Sequence, residues 1–500
     1  MSLEDIYREK FTEYLNKNQE IGFVEKVNHP VVYIRGLPGA RISEVVIFES
    51  GCMGVVTSLS EEYVEVMTVC TEPVLVGGKV ARSGDILQIP VGNGLLGSVI
   101  NPLGESLYEN KVIADISEYR SIQAKPLPIN LRERIKTCFE TGVPLVDLLI
   151  PLGKGQRELI IGDRNTGKTS FVLQTILSQA KLGTVCIYAG IGKKKYSLKK
   201  VEQLMDKHGV RNNVIIVGSA SSDPIGSIYL TPYTAMTIAG YFRDNGRDVL
   251  LVLDDLSTHA KYYRELSLIS KKFPGRDSYP GDVFYAHARL LERAGNFKVG
   301  NKTVSITCLP VASSIEGDIT GYIQTNLMSI TDGHIFFDHS IFKSGKRPAI
   351  NYFLSVTRVG RQTQSQVRWG INRELSSFLY LHGKTERFIH FGAELNEGIK
   401  STMEMGKKLD QFFDQTAEEI YSIDVQTILF VLIWSGILKE ETSGKIRFYR
   451  SKAQGLYDKD REFKNKISKI INSCNDFNSL LGKVSSTHKE LIDYMERAPL

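Results

Sequence analysis

The sequence predicts a multidomain α/β protein: an N-terminal β-barrel, a central α/β domain with a mostly parallel sheet, and a C-terminal helical domain. Three features carry that expectation. Residues 21–90 are short β-branched runs separated by turn formers, which favours a small barrel. Strand-like and helix-like segments then alternate around Gly162-Asp163-Arg164-Asn165-Thr166-Gly167-Lys168-Thr169, the pattern of βαβ units in a parallel sheet. The last ~125 residues lose glycine and proline and take up helical periodicity. These changes of texture set the expected boundaries: 1–20 for a leading helix, 21–90 for the barrel, 91–372 for the central domain and 373–500 for the helical domain.

Length and composition narrow the class. At roughly 150 residues per domain, the 500 residues suffice for two to four domains with cores of their own. Apolar residues make up 42% and charged residues 24%, as in a soluble globular protein. The formal net charge of +6, spread over both signs, calls for neither nucleic acid nor an anionic membrane. Cys52, Cys70, Cys138, Cys186, Cys308 and Cys474 are scattered, with no close pair at metal or redox spacing. A reducing compartment, buried apolar thiols and no disulfide framework are therefore expected. The start, Met1-Ser2-Leu3-Glu4-Asp5, is acidic and lacks an apolar core, so it does not read as a signal peptide, and the most apolar run, Ile428–Leu438, is too short to span a bilayer. The expectation is a cytoplasmic chain that reaches the inner face of a membrane only through partners.

Taken in order, residues 3–16 place Leu3, Ile6, Tyr7, Phe11, Tyr14 and Leu15 on one face of an amphipathic helix, which either packs on its own domain or docks to a partner. Val31–Ile34, Val45–Phe48 and Tyr63–Val66 read as barrel strands, divided by Gly36-Leu37-Pro38-Gly39, Ser50-Gly51 and Gly77-Gly78. Glycines and prolines between Pro90 and Pro128 mark a connection. Glu158–Gly162, Thr184–Ala189, Val214–Gly218, Val249–Asp254 and Val304–Leu309 read as the strands of the parallel sheet. No internal repeat is visible, and the basic Lys445–Lys469 stretch reads as a solvated helical face.

The chemistry lies in the turn after Leu159-Ile160-Ile161. GxxxxGKT between a strand and a helix is the signature of a phosphate-binding loop. Backbone N–H groups at the helix N-terminus point at an anion, Lys168 can reach terminal phosphates, and the Thr169 hydroxyl can ligate magnesium. The apolar strand Leu250–Leu253 ends in Asp254-Asp255, and a carboxylate there holds the water shell of the ion, which takes few protein ligands. Hydrolysis would further need a group to orient the attacking water. Where a carboxylate is wanted for that, after Tyr188-Ala189-Gly190-Ile191-Gly192, stand Lys193, Lys194 and Lys195, and the next acid is Glu202. The chain reads as equipped to bind a nucleotide and poorly equipped to cleave it, unless a base such as Asp255 comes from elsewhere.

GDRNTGKTS at the loop, DDLSTHA at 254–260, YRELSLISKKFPGRDSYPGDVFYAHARLLERA at 263–294, SITDGHIF at 329–336 and RPAINYFLSVTRVG at 347–360 resemble the alpha subunits of F-type ATP synthases. The likeness runs from about Ile21 to Gly360 and continues more weakly beyond. It implies a RecA-like nucleotide-binding domain and a hexamer in which alpha chains alternate with catalytic beta subunits around a rotating shaft. It also implies a peripheral stalk bound through the N-terminal helix, and bound magnesium nucleotide, ATP or ADP, that the chain itself does not turn over. Carried over, Arg164, Asn165, Thr166, Gly167, Lys168, Thr169 and Ser170 hold the phosphates, and Thr169 and Asp254 flank magnesium. Phe342, Arg347 and Gln415 frame the adenine, and Arg358 is an arginine finger that acts in trans on the neighbour's catalytic site. Phe273–Gly281 lines the sleeve around the shaft.

The sequence also departs from its family. Asn165 and Lys193 stand where alpha subunits usually carry glutamine, Ala417 replaces a second glutamine near Gln415, and Arg361-Gln362 replaces small residues. With the diverged C-terminal domain, these departures admit a second reading, an alpha-like subunit of the F-type-like motor ATPases of mycoplasmas, coupling ATP hydrolysis to another mechanical output. A self-sufficient export ATPase of the same superfamily would need an acid at Lys193. A nucleic-acid translocase would need basic and aromatic residues interleaved across a barrel that instead carries many acids.

Overall fold

The computed structural model describes residues 3–108, 113–390, 397–438 and 443–497. The chain forms two compact units, one of Met1–Glu133, Gly183–Ser313 and Thr320–Ile330, the other of Arg134–Leu182, Ser314–Ile319 and Thr331–Leu500.

The first unit opens with the helix Leu3–Asn18, whose Asn18 Nδ2 donates to the Arg82 carbonyl at 2.7 Å. That bond ties the helix end to the barrel; the side chains of Leu3, Ile6 and Tyr7 lie outside the described residues. The barrel closes through six antiparallel strands, in the order Ile21–Asn28, Val31–Arg35, Val64–Thr68, Met53–Leu59, Glu44–Phe48 and Lys79–Ile86. Alternation sends Val32, Ile34, Val46, Val66 and Val80 into its core, each fully or almost fully buried. Each such side chain contributes about 1.5–3 kcal/mol relative to exposure.

One expectation fails in the barrel. Cys52 and Cys70 form a disulfide, with Cα atoms 5.5 Å apart. They are eighteen residues apart in sequence. The antiparallel register of the two strands between them, Gly54↔Thr68 and Val55↔Met67, carries on outward to set Cys52 against Cys70. Spacing in the sequence does not carry that register. Outside the disulfide, Cys186 and Cys308 are buried and Cys138 and Cys474 half-buried.

The same unit carries a sheet in which Lys302–Ser313, Val249–Asp254, Val185–Lys193, Val214–Ala220 and Val99–Ile100 run parallel in that order. Every residue of Val249–Asp254 and Val214–Ala220 is buried, which is why Val249–Leu253 and Val214–Val217 are continuously apolar and do not alternate. The register pairs Val185 with Val249 and Gly190 with Asp254.

In the second unit Glu158–Gly162 pairs in parallel with Gly333–Phe337, and Val356–Thr357 adds an antiparallel edge. Beyond residue 365 come six helices among the described residues: Gln366–His390, Glu397–Phe413, Ile423–Trp434, Ser443–Lys459, Arg461–Asn472 and Phe477–Arg497. Ile423–Trp434 is their core. It is apolar through Ile428–Trp434, and its Phe430 has no exposed surface, stacking on Trp434 at 5.4 Å with Phe412 and Phe477 at 6.5 and 6.2 Å. Phe430→Ala leaves a cavity that neighbouring rings cannot refill; a loss of about 3–5 kcal/mol is expected, read as a fall in thermal midpoint.

The basic Lys445–Lys469 stretch is not wholly solvated. Arg450 is buried, donating through Nη1 to the Phe412 carbonyl at 2.7 Å and lying over the Tyr421 ring, with Glu419 at 3.4 Å as its counter-charge. Lys452 is buried beside it in sequence. Arginine can enter a core when its charge is paired this way, although Arg450 Nε stays buried without a hydrogen-bond partner among the described residues. No described helix is long and apolar enough to cross a membrane.

Candidate nucleotide site and exposed arginine

The phosphate loop leaves its buried strand at Gly162, where φ is +155° and a Cβ would stand 2.3 Å from the Phe337 carbonyl oxygen. Only glycine fits that approach. Asn165 and Gly167, with φ of +62° and +104°, turn the chain into the fourteen-residue helix Lys168–Lys181. The loop is braced from within. Thr166 Oγ1 donates to the Asp163 carbonyl at 2.7 Å, while Asp163 Oδ1 accepts from Ser314 Oγ at 2.6 Å and Gly317 N–H at 2.9 Å. Lys168 Nζ donates to the Gly162 carbonyl at 2.6 Å and to that of Asp163, so the ammonium is stored against the loop's own backbone. Arg164, Asn165, Thr169 and Ser170 are exposed at the helix N-terminus, where an anion is favoured.

The residues expected around a base lie in the same unit. Arg347 stacks on Phe342, its guanidinium carbon 3.6 Å from the ring centroid, and its Nη1 donates to the carbonyls of Phe342 and Lys346, both at 2.8 Å. Gln415 N–H donates to the Arg347 carbonyl at 2.9 Å, and its Nε2 donates to the carbonyls of Gly142 and Glu419 at 2.9 and 2.6 Å. That leaves Gln415 Oε1 buried without a hydrogen-bond partner among the described residues. Gln174, on the loop helix, donates to the carbonyls of Thr416 and Glu419 at 2.7 and 3.1 Å, so loop helix and base-side segment share one network.

Asp254 belongs to the other unit, and both its oxygens are engaged. Lys193 Nζ donates to Oδ1 at 2.6 Å and Tyr188 Oη to Oδ2 at 2.9 Å. Oxygen donors such as Thr169 and Asp254 are of the kind magnesium takes, but this carboxylate already holds a cation. The alternative bases are also committed. Asp255 Oδ1 accepts from Thr258 N–H at 2.6 Å and caps the following helix. Glu202 is paired with Lys199 and Arg211 at 2.8 and 2.6 Å; its burial raises the pKa, but the Lys199, Tyr108 and Arg211 donors outweigh that and hold it below the usual range. Among the described residues no group of three or more histidines, cysteines and acids could hold a metal ion.

Arg358 stands exposed at the sheet edge of the second unit. Its Nη1 makes one long bond, to the Thr331 carbonyl at 3.4 Å, and it forms no ion pair among the described residues. The acids around it are accounted for. Asp332 is clamped by Arg157 through two bonds of 2.7 and 3.1 Å. Burial pushes the Glu158 carboxyl well above the usual carboxylate range, more than its Gln156 donor and the Arg358 charge pull it down. Gln156 Nε2 joins Glu158 Oε2 at 2.6 Å to Thr357 Oγ1 at 3.1 Å, and this buried network seats the strand from which Arg358 projects. Phe353, Leu354 and Val356 are exposed in the same segment, at 54%, 51% and 44%.

Residues 142–357 match the family described as ATP synthase alpha/beta family, nucleotide-binding domain. The chain is 38% identical over 443 residues to the ATP synthase subunit alpha of Dictyoglomus thermophilum, which spans 88% of this chain and 87% of that one. The chain belongs to the ATP synthase alpha subunit family. It is likewise 39% identical over 432 residues to the subunit alpha of a Sulfurovum species, covering 85% of each chain, and 38% identical over 436 residues to that of Neorickettsia sennetsu. Within this family member, sequence reasoning found the lysine run but missed where Lys193 goes, and missed Tyr188 and Glu158 altogether. No sequence signal could have found them, because the parallel register that sets Gly190 beside Asp254 is decided by the tertiary structure.

Proposed function

We propose that this chain is the non-catalytic, nucleotide-binding alpha subunit of a rotary F-type ATPase or ATP synthase. It alternates with beta-like catalytic subunits around a gamma-like shaft, meets a peripheral stalk through its N-terminal helix, and supplies Arg358 to the neighbouring catalytic site. The observation that carries this is the pairing of an intact phosphate loop with a lysine, Lys193, at the hydrolytic position. Arg164–Ser170 hold the phosphates of ATP or ADP, Phe342, Arg347 and Gln415 take the base, and Thr169 offers its hydroxyl to magnesium. Arg358, unpaired and set among exposed Phe353, Leu354 and Val356, has the character of an interface residue, since apolar side chains around an arginine are typical anchors of a protein contact. Phe273, 97% exposed in the 273–281 loop, suits a surface that faces the shaft.

The purified chain alone has no measurable ATPase activity under this reading, because no residue of the site serves as carboxylate base. Robust turnover by the isolated chain, abolished by Lys168→Ala, would overturn it in favour of a self-sufficient ATPase. The output of the ring is decided by its other members: mass spectrometry of the complex purified natively through this chain gives their stoichiometry. Three copies with three of a beta-like chain, a shaft and an ion-conducting membrane rotor make an ion-translocating synthase. The same ring on other stalk proteins makes a motor of different output, a reading favoured by the departures at Asn165, Lys193 and Ala417.

A further inference from the structure

Within the second unit, residues 138–147 meet the helices that follow residue 365 across three carboxyls. Asp147 is buried, and its Oδ1 accepts from Thr141 N–H at 2.8 Å and Thr141 Oγ1 at 2.7 Å, its Oδ2 from Gly142 N–H at 3.0 Å and Gln426 Nε2 at 2.8 Å. Asp424 pairs with Arg368 Nη2 at 3.3 Å and accepts through Oδ2 from Tyr457 Oη and Ser468 Oγ, both at 3.1 Å. Glu140 has a single donor among the described residues: its Oε1 accepts at 3.2 Å from the N–H of Ile423, the first residue of the helix Ile423–Trp434.

Three carboxyls thus face one guanidinium, and close like charges away from water do not all ionise together. Burial raises Asp147 as well, but with two donors on each oxygen it offers a proton no acceptor, and Asp424 is ion-paired. The proton therefore falls to Glu140. Burial first, then the Asp147 charge and that of Asp424, push the Glu140 carboxyl up to about 8 against the pull of Ile423 N–H and Arg368. The other titratable groups facing it stay protonated, Cys138 pushed up to about 11 chiefly by burial and Tyr457 raised by burial and Asp424.

We propose that Glu140 is a proton-operated latch: protonated, it lets the N-terminus of Ile423–Trp434 dock on residues 138–147, and ionised, it loosens that junction. Loss of the proton sets a further negative charge beside Asp147 and Asp424, while Arg368 is already matched to Asp424. Because the raised carboxyl holds its proton more tightly folded than unfolded, its contribution is whole below the ordinary carboxylate range. It is lost progressively as pH rises to about 8, where the folded group itself ionises. The junction adjoins the base-side segment, since the Gly142 carbonyl accepts both Tyr421 N–H at 3.1 Å and Gln415 Nε2 at 2.9 Å. Loosening it therefore weakens nucleotide binding, a consequence that rests on the reading that Gln415 takes the base.

The chain's two tryptophans, Trp369 and Trp434, sit on Gln366–His390 and Ile423–Trp434, so their fluorescence follows this region in thermal unfolding of the full-length chain. Glu140→Gln keeps an acceptor for Ile423 N–H and cannot ionise. Its melting midpoint gains on the wild type's by about 3 °C or more between about pH 5.5 and about pH 9. A midpoint difference of the same size at both pH values overturns the latch. Should Glu140→Gln not fold, Glu140→Ala decides in its place: a deficit that narrows by about 3 °C toward the higher pH supports the latch, and a constant deficit overturns it. Titration calorimetry with ATP reads the consequence for the site. Binding by Glu140→Gln that equals the wild type's at the lower pH and is about threefold tighter at the higher joins the latch to the base. Equal affinities at both, with the melting result as expected, keep the latch and overturn that link. ATP binding absent at both overturns the nucleotide site, and the melting result still decides the latch.

Discussion

Arg358→Ala, introduced into a ring reconstituted with its catalytic partner, lowers multi-site turnover by about 10³-fold or more, the range of known arginine fingers. The chain's own fold and nucleotide binding stay nearly intact, because Arg358 contributes little to either: it is exposed, and among the described residues its side chain makes only a 3.4 Å contact to a carbonyl. An arginine spent on an internal ion pair would give the opposite pattern, lost stability with turnover preserved per assembled ring. Here Asp332 is clamped by Arg157, and Glu158 lies buried with Gln156 as the donor to its Oε2. Single-site nucleotide affinity of the partner, measured alongside, separates loss of transition-state charge stabilisation from failure to assemble. Unchanged turnover in a complete ring would remove the trans role.

Lys168→Ala lowers this chain's nucleotide affinity by on the order of 10- to 100-fold, the worth of a hydrogen bond to a charged group, about 1.5–3 kcal/mol. The ammonium's partners include the main-chain carbonyls of Gly162 and Asp163. Moving it from loop carbonyls to phosphate oxygens exchanges neutral acceptors for charged ones. The loop keeps its shape in the variant, since Gly162, Asn165 and Gly167 set the backbone and Asp163 is braced by Ser314 and Gly317. Turnover by the partner changes far less than in Arg358→Ala, and fluorescence titration with a nucleotide analogue reads the difference directly.

The phosphate loop was legible in the sequence because its whole chemistry is contiguous. A strand, a turn that needs left-handed residues at Asn165 and Gly167, and a helix opening at Lys168 are neighbours along the chain. The buried strands were legible for a related reason: a strand covered on both faces is apolar at every position, as Val249–Asp254 is up to its terminal acid. The barrel followed from alternation and turns. Gln415, by contrast, was visible only through family likeness, since its place depends on Arg347 and Gly142, one of them 273 residues away.

By itself the sequence determined the fold class, the phosphate loop and the lack of a hydrolytic carboxylate after Gly192, all consequences of residue type and short-range order. Tertiary structure alone decided that Cys52 meets Cys70, that Arg450 is buried against Phe412 and Tyr421, and that Lys193 sits on Asp254. Each of these joins residues whose separation carries no periodic signal. Strand register and helix packing, set by how the apolar faces close over one another, decide which polar groups finish side by side.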